Sequence, residues 1–297
     1  MYVYLNDRLV PRSEAVVSVF DHGFLYGDGV YETMRCYDGV VFMLDEHLRR
    51  LARSASMIRI NLPADSDSLK LMVYETLQAN KLRDAYIRLT VSRGYGPIGL
   101  DPELCPSPTL VIMAEAMKQY PAALYENGIR VAIPSVRRNL REALNPEIKS
   151  LNFLNNILAK IEAAQGGAYE AVMLNASGAL TEGSISNLFF SKGGVLCTPS
   201  IECGILDGIT RGIVLELAVK EGLTVKAGEF GREDIYSAEE VFLTNTTMEV
   251  MPVSGVDDAR YAVGGITRLL HKAYRQEVKA YVEHMKAQGP SIWGYDE

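Results

Sequence analysis

Short β-rich runs bounded by turn residues recur along this chain, and only five stretches of helical period interrupt them, so it must build sheets that helices cover. Residues 1–5, 16–20 and 40–44 read as hairpin strands separated by turns such as Asn6-Asp7 and Asp38-Gly39. Asp45 is placed to cap a helix that carries His47-Leu48-Arg49-Arg50-Leu51 and ends near Arg59, and a second helical stretch spans 66–80. Strands follow at 85–92 and 109–114. Between them lies Arg93-Gly94-Tyr95-Gly96-Pro97-Ile98-Gly99-Leu100, a glycine- and proline-punctuated loop of the kind that carries binding groups. Further on come strands at 129–134, 171–175, 187–191, 195–198 and 240–244, an acidic turn at 232–240, and helices at 152–165, 210–221 and 266–287.

A length of 297 residues corresponds to roughly two domains of about 150. Pro121 breaks the pattern, so the expected division is a small domain over 1–117, a linker over 118–128 and a larger domain over 129–297. Apolar residues make up 48% and charged residues 23%, which excludes a wholly disordered, collagenous or coiled-coil chain. A formal charge of −7 lacks the footprint of a polyanion binder, and nucleic acid is not expected as a partner. No basic segment precedes an apolar one at the N-terminus, and no apolar run approaches membrane-spanning length, so a cytoplasmic protein without membrane association is expected. Cys36, Cys105, Cys197 and Cys203 form no CxxC pair, which argues against a disulfide scaffold or a zinc site.

Metalloprotease, α/β-hydrolase, P-loop and dinucleotide-binding signatures are all missing. The four histidines are scattered, with His271 and His284 on an expected surface helix, and none is assigned a catalytic role. What remains suits an anionic, aromatic ligand. Gly208-Ile209-Thr210-Arg211 opens a helix whose free amides favour phosphate, although a glycine before a helix is common. Asn245-Thr246-Thr247 follows a strand and offers hydroxyls and turn amides, or is an ordinary turn. Arg50 supplies either a bidentate fork for phosphate or a solvated helix charge. Lys149, in Pro146-Glu147-Ile148-Lys149-Ser150, precedes an apolar helix where a lowered pKa would allow Schiff-base chemistry; a surface lysine is the plain alternative. Glu182 is either a buried carboxylate that needs a cationic or N–H partner, or an exposed residue of a hairpin turn.

These pieces in this order resemble the fold-type IV pyridoxal 5′-phosphate enzymes, which include branched-chain aminotransferases, D-amino acid aminotransferases and aminodeoxychorismate lyases. The most specific part is Glu182-Gly-Ser-Ile-Ser-Asn187-Leu-Phe189, then Leu196-Cys-Thr198, then Leu206-Asp-Gly-Ile-Thr-Arg211. Glu46-His-Leu-Arg-Arg50-Leu, Ile148-Lys149-Ser-Leu-Asn152 and the segments around Tyr31 and Thr246 add to it. The resemblance implies an α/β chain with a small N-terminal domain and a larger, β-barrel-like C-terminal domain with helices. It implies that Lys149 binds pyridoxal 5′-phosphate and then shuttles a proton, and that Glu182 keeps the pyridine nitrogen protonated. Arg50, the amides of Ile209 and Thr210, and Thr246 would hold the phosphate, with Leu206 on the ring face.

Within the family, Ala85-Tyr86-Ile87-Arg88 and Gly96-Pro97-Ile98-Gly99-Leu100 resemble branched-chain aminotransferase segments, and Ile98 and Leu100 stand where D-amino acid enzymes of the best-known type carry an Arg-x-His pair. The implied reaction exchanges an amino group between L-branched-chain amino acids and 2-oxoglutarate. Arg88 would serve the second carboxylate of glutamate, Tyr26 and Tyr31 would line the pocket, and Tyr86 with the Thr246-Thr247 turn would receive the α-carboxylate. Ile98 and Leu100 would reach into a neighbouring subunit's site, which implies a homodimer or higher homo-oligomer. Leu89, Thr33 and Phe153 depart from the branched-chain pattern, and Arg93, Arg137, Arg138 and Arg141 are further candidate carboxylate binders without an assigned role.

Overall fold

Alternation along residues 85–91 organises the first half of the molecule. In the computed structural model, which describes residues 1–288, strands β1 (Tyr2–Leu5), β2 (Arg8–Pro11), β3 (Gly29–Tyr37), β4 (Val40–Val41), β5 (Ala85–Ser92) and β6 (Thr109–Ala116) form an antiparallel sheet ordered β2-β1-β6-β5-β3-β4. Helices α1 (His22–Tyr26), α2 (Leu44–Met57) and α3 (Ser66–Ala79) accompany it. Ala85, Ile87, Leu89 and Val91 point into a core with Val30, Met34, Leu48, Leu51, Leu69, Val73 and Leu77. Each large side chain buried there contributes about 1.5–3 kcal/mol relative to exposure. The period of two then places Tyr86, Arg88 and Thr90 on the opposite face, where they register with Arg35, Thr33 and Tyr31 of β3. The sheet thus separates a dry face from a face available to chemistry.

Three local expectations fail here, one of them in part: of the strand expected at 40–44 only Val40–Val41 pairs, and Leu44 already opens α2. Residues 16–20 form no strand; Val16, Val17, Val19 and Phe20 are exposed, and their β propensity finds no partner strand. Helix α2 starts at Leu44 after Met43, whose backbone is left-handed (φ 53°), so Asp45 lies in the first turn rather than capping. There its charge still complements the helix dipole. In α3 the cap is regular, with Asp65 accepting from the Ser68 amide at 2.8 Å.

The second sheet uses β7 (Ile129–Ala132), β8 (Glu170–Leu174), β9 (Leu180–Gly183), β10 (Asn187–Lys192), β11 (Val195–Pro199), β12 (Thr224–Gly228), β13 (Glu240–Asn245), β14 (Glu249–Val256) and β15 (Ala259–Arg260). Its order is β12-β11-β10-β13-β14-β7-β8-β9, with β15 beside β14. The pairing of Asn187 with Glu182 joins β9 back to β10 and closes a barrel-like ring. Val131, Val172, Leu174, Leu180, Leu188, Phe190, Leu243, Met251 and Val253 fill its core. Helices α4 (Ala122–Asn127), α5 (Leu154–Gln165), α6 (Ile209–Lys220), α7 (Arg232–Tyr236) and α8 (Gly265–Ala287) complete the chain.

By mutual packing the described residues divide into one unit comprising Met1–Lys118, Ile148–Asn152 and 278–288, and a second comprising Gln119–Glu147 and Phe153–Glu277. Helix α4 lies within the segment 118–128 and belongs to the second unit. No helix among the described residues is long and apolar enough to cross a membrane.

Candidate active site

In the first unit, α2 lays Arg50 against β3, where Glu32 holds it by two hydrogen bonds, Nε to Oε1 at 2.7 Å and Nη2 to Oε2 at 2.8 Å. His47, one turn earlier, places Nδ1 2.7 Å from Glu32 Oε2. All three are buried, so Arg50 is not a solvated helix charge. Burial alone would raise the Glu32 pKa, but the Arg50 guanidinium and the His47 imidazole outweigh it and hold the carboxyl well below the ordinary range. Burial pushes His47 down against the pull of Glu32, with Arg50 and Lys149 also favouring its neutral form. A neutral imidazole therefore donates to a carboxylate that is already paired, and the guanidinium is fixed in orientation.

Lys149 joins this unit through its backbone. Its carbonyl accepts from the Tyr31 amide at 3.0 Å, Ser150 bridges to Val30, and the Leu151 amide donates to Gly29 O, so the segment runs along β3 as an added edge. The Lys149 amide also donates to Ser54 Oγ at 3.2 Å. The Lys149 Nζ then lies 4.5 Å from the Tyr31 ring centroid, and the Arg88 guanidinium lies over the same ring at 4.1 Å. Tyr86 shares the Arg88 face of β5. Tyr26 packs edge-on against His22, and its hydroxyl accepts from the Gly99 amide at 3.2 Å, so it braces the 93–100 loop. His22 Nε2 lies 2.9 Å from Pro97 O and supports the same loop. Ile98 and Leu100 at its tip are 74% and 84% exposed. Arg93 commits four of its five N–H donors: it chelates Asp28 with Nε and Nη2 and donates to the carbonyls of Ile58 and Arg59 at the end of α2. Its bidentate fork is thus already occupied by a carboxylate of the protein itself.

In the second unit Glu182 lies in β9 and is buried, which rules out the exposed hairpin residue. Arg138 donates to Oε1 from Nε (3.1 Å) and Nη2 (2.9 Å). The Leu206 amide (2.9 Å) and Asn187 Nδ2 (3.1 Å) donate to Oε2. These four donors share both oxygens of one buried carboxylate. Arg138 Nη1 also reaches the side-chain oxygens of Asn155 and Asn156 at 3.3 Å, tying the carboxylate to the start of α5. Of the other candidate arginines, Arg141 pairs with Glu147 and Arg137 is exposed. Phe153 is the residue before α5.

Sequence reasoning left Asn187 unassigned, although the motif contains it. Its amide donates to both Glu182 and the Leu206 carbonyl, and a Cβ on Gly208 would lie 1.9 Å from its Oδ1. Only glycine therefore fits before α6. That helix starts at Ile209 without a side-chain cap, and Thr210 is buried in its first turn. An uncapped first turn suits a phosphate at the Ile209 and Thr210 amides, and the residues present fit pyridoxal 5′-phosphate. Arg211 is turned away, buried against Thr198 and Pro199 O, with burial lowering its pKa. After β13, Asn245 Oδ1 accepts from the amides of Thr247 (2.9 Å) and Met248 (2.7 Å), so the donors of the 245–249 turn are partly committed within it. His271 is no simple surface residue: it stacks on Tyr125, and its Nε2 lies 3.4 Å from buried Glu249.

The sequence matches the family described as amino-transferase class IV over residues 29–256. The chain belongs to that family, and its architecture is that of the fold-type IV enzymes. It is 47% identical over 278 residues to the "Putative branched-chain-amino-acid aminotransferase" of Methanocaldococcus jannaschii, covering 93% of this chain and 96% of that protein. It is 35% identical over 295 residues to the aminodeoxychorismate lyase of Bacillus subtilis, covering 98% of each. Among solved structures, the branched-chain aminotransferase of the thermophilic archaeon Thermoproteus uzoniensis with norvaline superposes with a TM-score of 0.89 at 36% identity, covering 94% of this chain and 95% of that one.

Proposed function

We propose that this protein is a pyridoxal 5′-phosphate-dependent transaminase that exchanges an amino group between L-branched-chain amino acids and 2-oxoglutarate. The observation that carries this reading is the placement of Lys149 Nζ and the Arg88 guanidinium over one Tyr31 ring, which sets a cation for a second carboxylate beside the reactive amine. The family membership and the similarity to the archaeal relative support the same reaction.

The cofactor, when bound, supplies an electron sink for the pair left at the substrate Cα. Lys149 would hold the cofactor through Nζ and, once released, would take up the substrate Cα proton and give it back as an acid. Glu182, fixed by Arg138, Asn187 and the Leu206 amide, holds a proton at the pyridine nitrogen. Arg50, the Ile209 and Thr210 amides and Thr246 bind the phosphate, and Leu206 packs on the ring. Arg88 receives the distal carboxylate of glutamate, Tyr31 lines the apolar part of the pocket, and Tyr26 contributes through the loop it braces. Tyr86 and the Thr246-Thr247 turn serve the α-carboxylate. Phe153, at what the resemblance implies is a tyrosine position of the family, supplies no hydroxyl there.

A homodimer fits two exposed apolar features. On α5, Leu154, Ile157, Leu158 and Ile161 form an exposed stripe while Ala159 and Ala163 face inward. Ile98 and Leu100 protrude from the 93–100 loop and would complete a second subunit's site. A cytoplasmic location accords with the chemistry, whose substrates are free amino acids and 2-oxo acids.

The test is a single half-reaction on cofactor-loaded protein, followed by absorbance. Conversion with L-leucine and not with D-alanine supports the proposal. Conversion with D-alanine alone, or pyruvate release from aminodeoxychorismate without an oxo acid, replaces it with the D-amino acid or lyase reaction. Sedimentation that shows a fully active monomer refutes the subunit arrangement.

A further inference from the structure

The turn that carries Thr246 and Thr247 ends on a residue in an unusual state. Glu249 sits opposite Asn245 in the β13–β14 ladder, is 2% exposed, and has φ +58°. A left-handed backbone is costly for any residue with a Cβ; glycine or asparagine is the ordinary choice where only the backbone matters. A buried glutamate in that conformation points to a task for its side chain.

That side chain faces a clasp built from α8 and α4. Glu249 Oε2 lies 3.4 Å from His271 Nε2 on α8, an ion-pair distance without hydrogen-bond alignment. The His271 ring stacks on Tyr125 of α4, with centroids 4.9 Å apart and planes inclined by 10°. The Tyr125 hydroxyl donates to Met248 O at 3.1 Å, and Tyr120 Oη lies 3.4 Å from Thr247 Oγ1. Asn245 fixes the other end of the turn through the Thr247 and Met248 amides and anchors itself on Ile185 O. Residues 245–249 are therefore held at both ends and from above, in a conformation the backbone would not choose alone.

We propose that Glu249 is a positioning residue for substrate binding: its carboxylate, held against the His271–Tyr125 stack, locks the left-handed closing residue and so aims the Thr246-Thr247 turn at the substrate α-carboxylate. The proposal deepens the assignment of that turn in the transaminase reading and rests on it. It makes the α4 and α8 side chains part of substrate recognition although neither bears a reacting group.

The experiment compares Glu249→Gly, Glu249→Gln and His271→Gln with the cofactor-loaded wild type. KM and kcat for L-leucine are measured together with the cofactor Kd, thermal stability and the Kd of 4-methylpentanoate, an unreactive carboxylate, by calorimetry. Glycine relieves the backbone cost but removes the anchor, so Glu249→Gly is expected to raise KM and the 4-methylpentanoate Kd by about tenfold, with kcat within about threefold and a smaller rise, about threefold or less, in the cofactor Kd, because Thr246 is one of several phosphate ligands. Glu249→Gln, which keeps the shape, recovers most of that loss, and His271→Gln falls between. Wild-type carboxylate affinity in Glu249→Gly overturns the proposal. So does lowered stability with unchanged KM, or a loss of cofactor affinity as large as the loss of carboxylate affinity, because either marks a merely structural residue. Should Glu249→Gly not fold, His271→Gln and Glu249→Gln carry the same comparison. Failure of the wild type to accept any amino donor is instead a failure of the transaminase reading, and the 4-methylpentanoate measurement still reports on Glu249.

Discussion

Replacing Glu32 by glutamine tests the energetics of the first unit most directly. The carboxylate receives three donors, Arg50 Nε on one oxygen and Arg50 Nη2 with His47 Nδ1 on the other. A glutamine amide group placed at Oε1 faces Arg50 Nε; placed at Oε2 it faces Arg50 Nη2. In both orientations an Arg50 donor loses its acceptor, and the guanidinium charge is left buried without its counter-ion. Removing one partner of a buried pair costs about 3–5 kcal/mol, and the retained amide oxygen places Glu32→Gln near the lower figure. The exposed Arg49–Glu46 pair on the same helix is the control, and Glu46→Gln should change stability by about 0.5 kcal/mol or less. Urea unfolding of the full chain, followed by circular dichroism with the m-value checked for constancy, measures both. The cofactor Kd should rise in Glu32→Gln alone, because Arg50 loses its fixed orientation. Equal destabilisation by the two variants would refute the claim that the buried network fixes Arg50.

Acid should weaken the folded state through His47 before it reaches Glu32. The folded-state His47 pKa lies below its ordinary 6.5, so the unfolded chain takes up a proton first; the stabilisation is full above that value and declines as pH falls below it. The Glu32 contribution, with a depressed folded-state pKa, is present above 4.5 and lost only well into the acid range. Unfolding free energies should therefore fall more steeply from neutrality to pH ~5 in the wild type than in His47→Gln, and parallel slopes would contradict this. Arg138→Leu leaves Glu182 without its cation and should lower stability by about 3 kcal/mol while weakening cofactor retention, read by urea unfolding and by dialysis. Unchanged retention would remove Arg138 from the site. Arg88→Leu should raise the KM for glutamate by at least about tenfold and that for leucine by less than about threefold, from the loss of one charge-assisted contact. Equal effects on both would remove Arg88 as the distal-carboxylate ligand.

Local pattern made much of the scaffold legible. The strand expected at 85–92 coincides with β5, the helical period at 66–80 with α3, and the glycine-rich stretch at 93–100 with a loop. These features depend on side-chain spacing within a few residues, which the sequence displays directly. The motifs around Lys149, Glu182 and Gly208 were visible as residues that could bind a phosphorylated aromatic ligand. Their environments were not. Whether Arg50 and Glu182 are solvated or buried depends on Glu32 and His47 in one case and on Arg138 and Asn187 in the other, each brought there by strand register or helix packing from a different stretch of chain.

The arginines show the division most plainly. By sequence, Arg93, Arg137, Arg138 and Arg141 were equivalent candidates for a carboxylate. Folding gives Arg93 to Asp28 and the end of α2, Arg138 to Glu182 and Arg141 to Glu147, and leaves Arg137 exposed. His271, expected on a solvent-facing helix surface, is instead stacked beneath α4 against a buried glutamate. The sequence by itself determined which elements form and which residue types can do chemistry, because propensity, period and motif spacing are short-range properties. Only the tertiary structure decided which charges are paired, which donors are already committed and which face of each strand is dry, because burial and electrostatic pairing are set by neighbours distant along the chain.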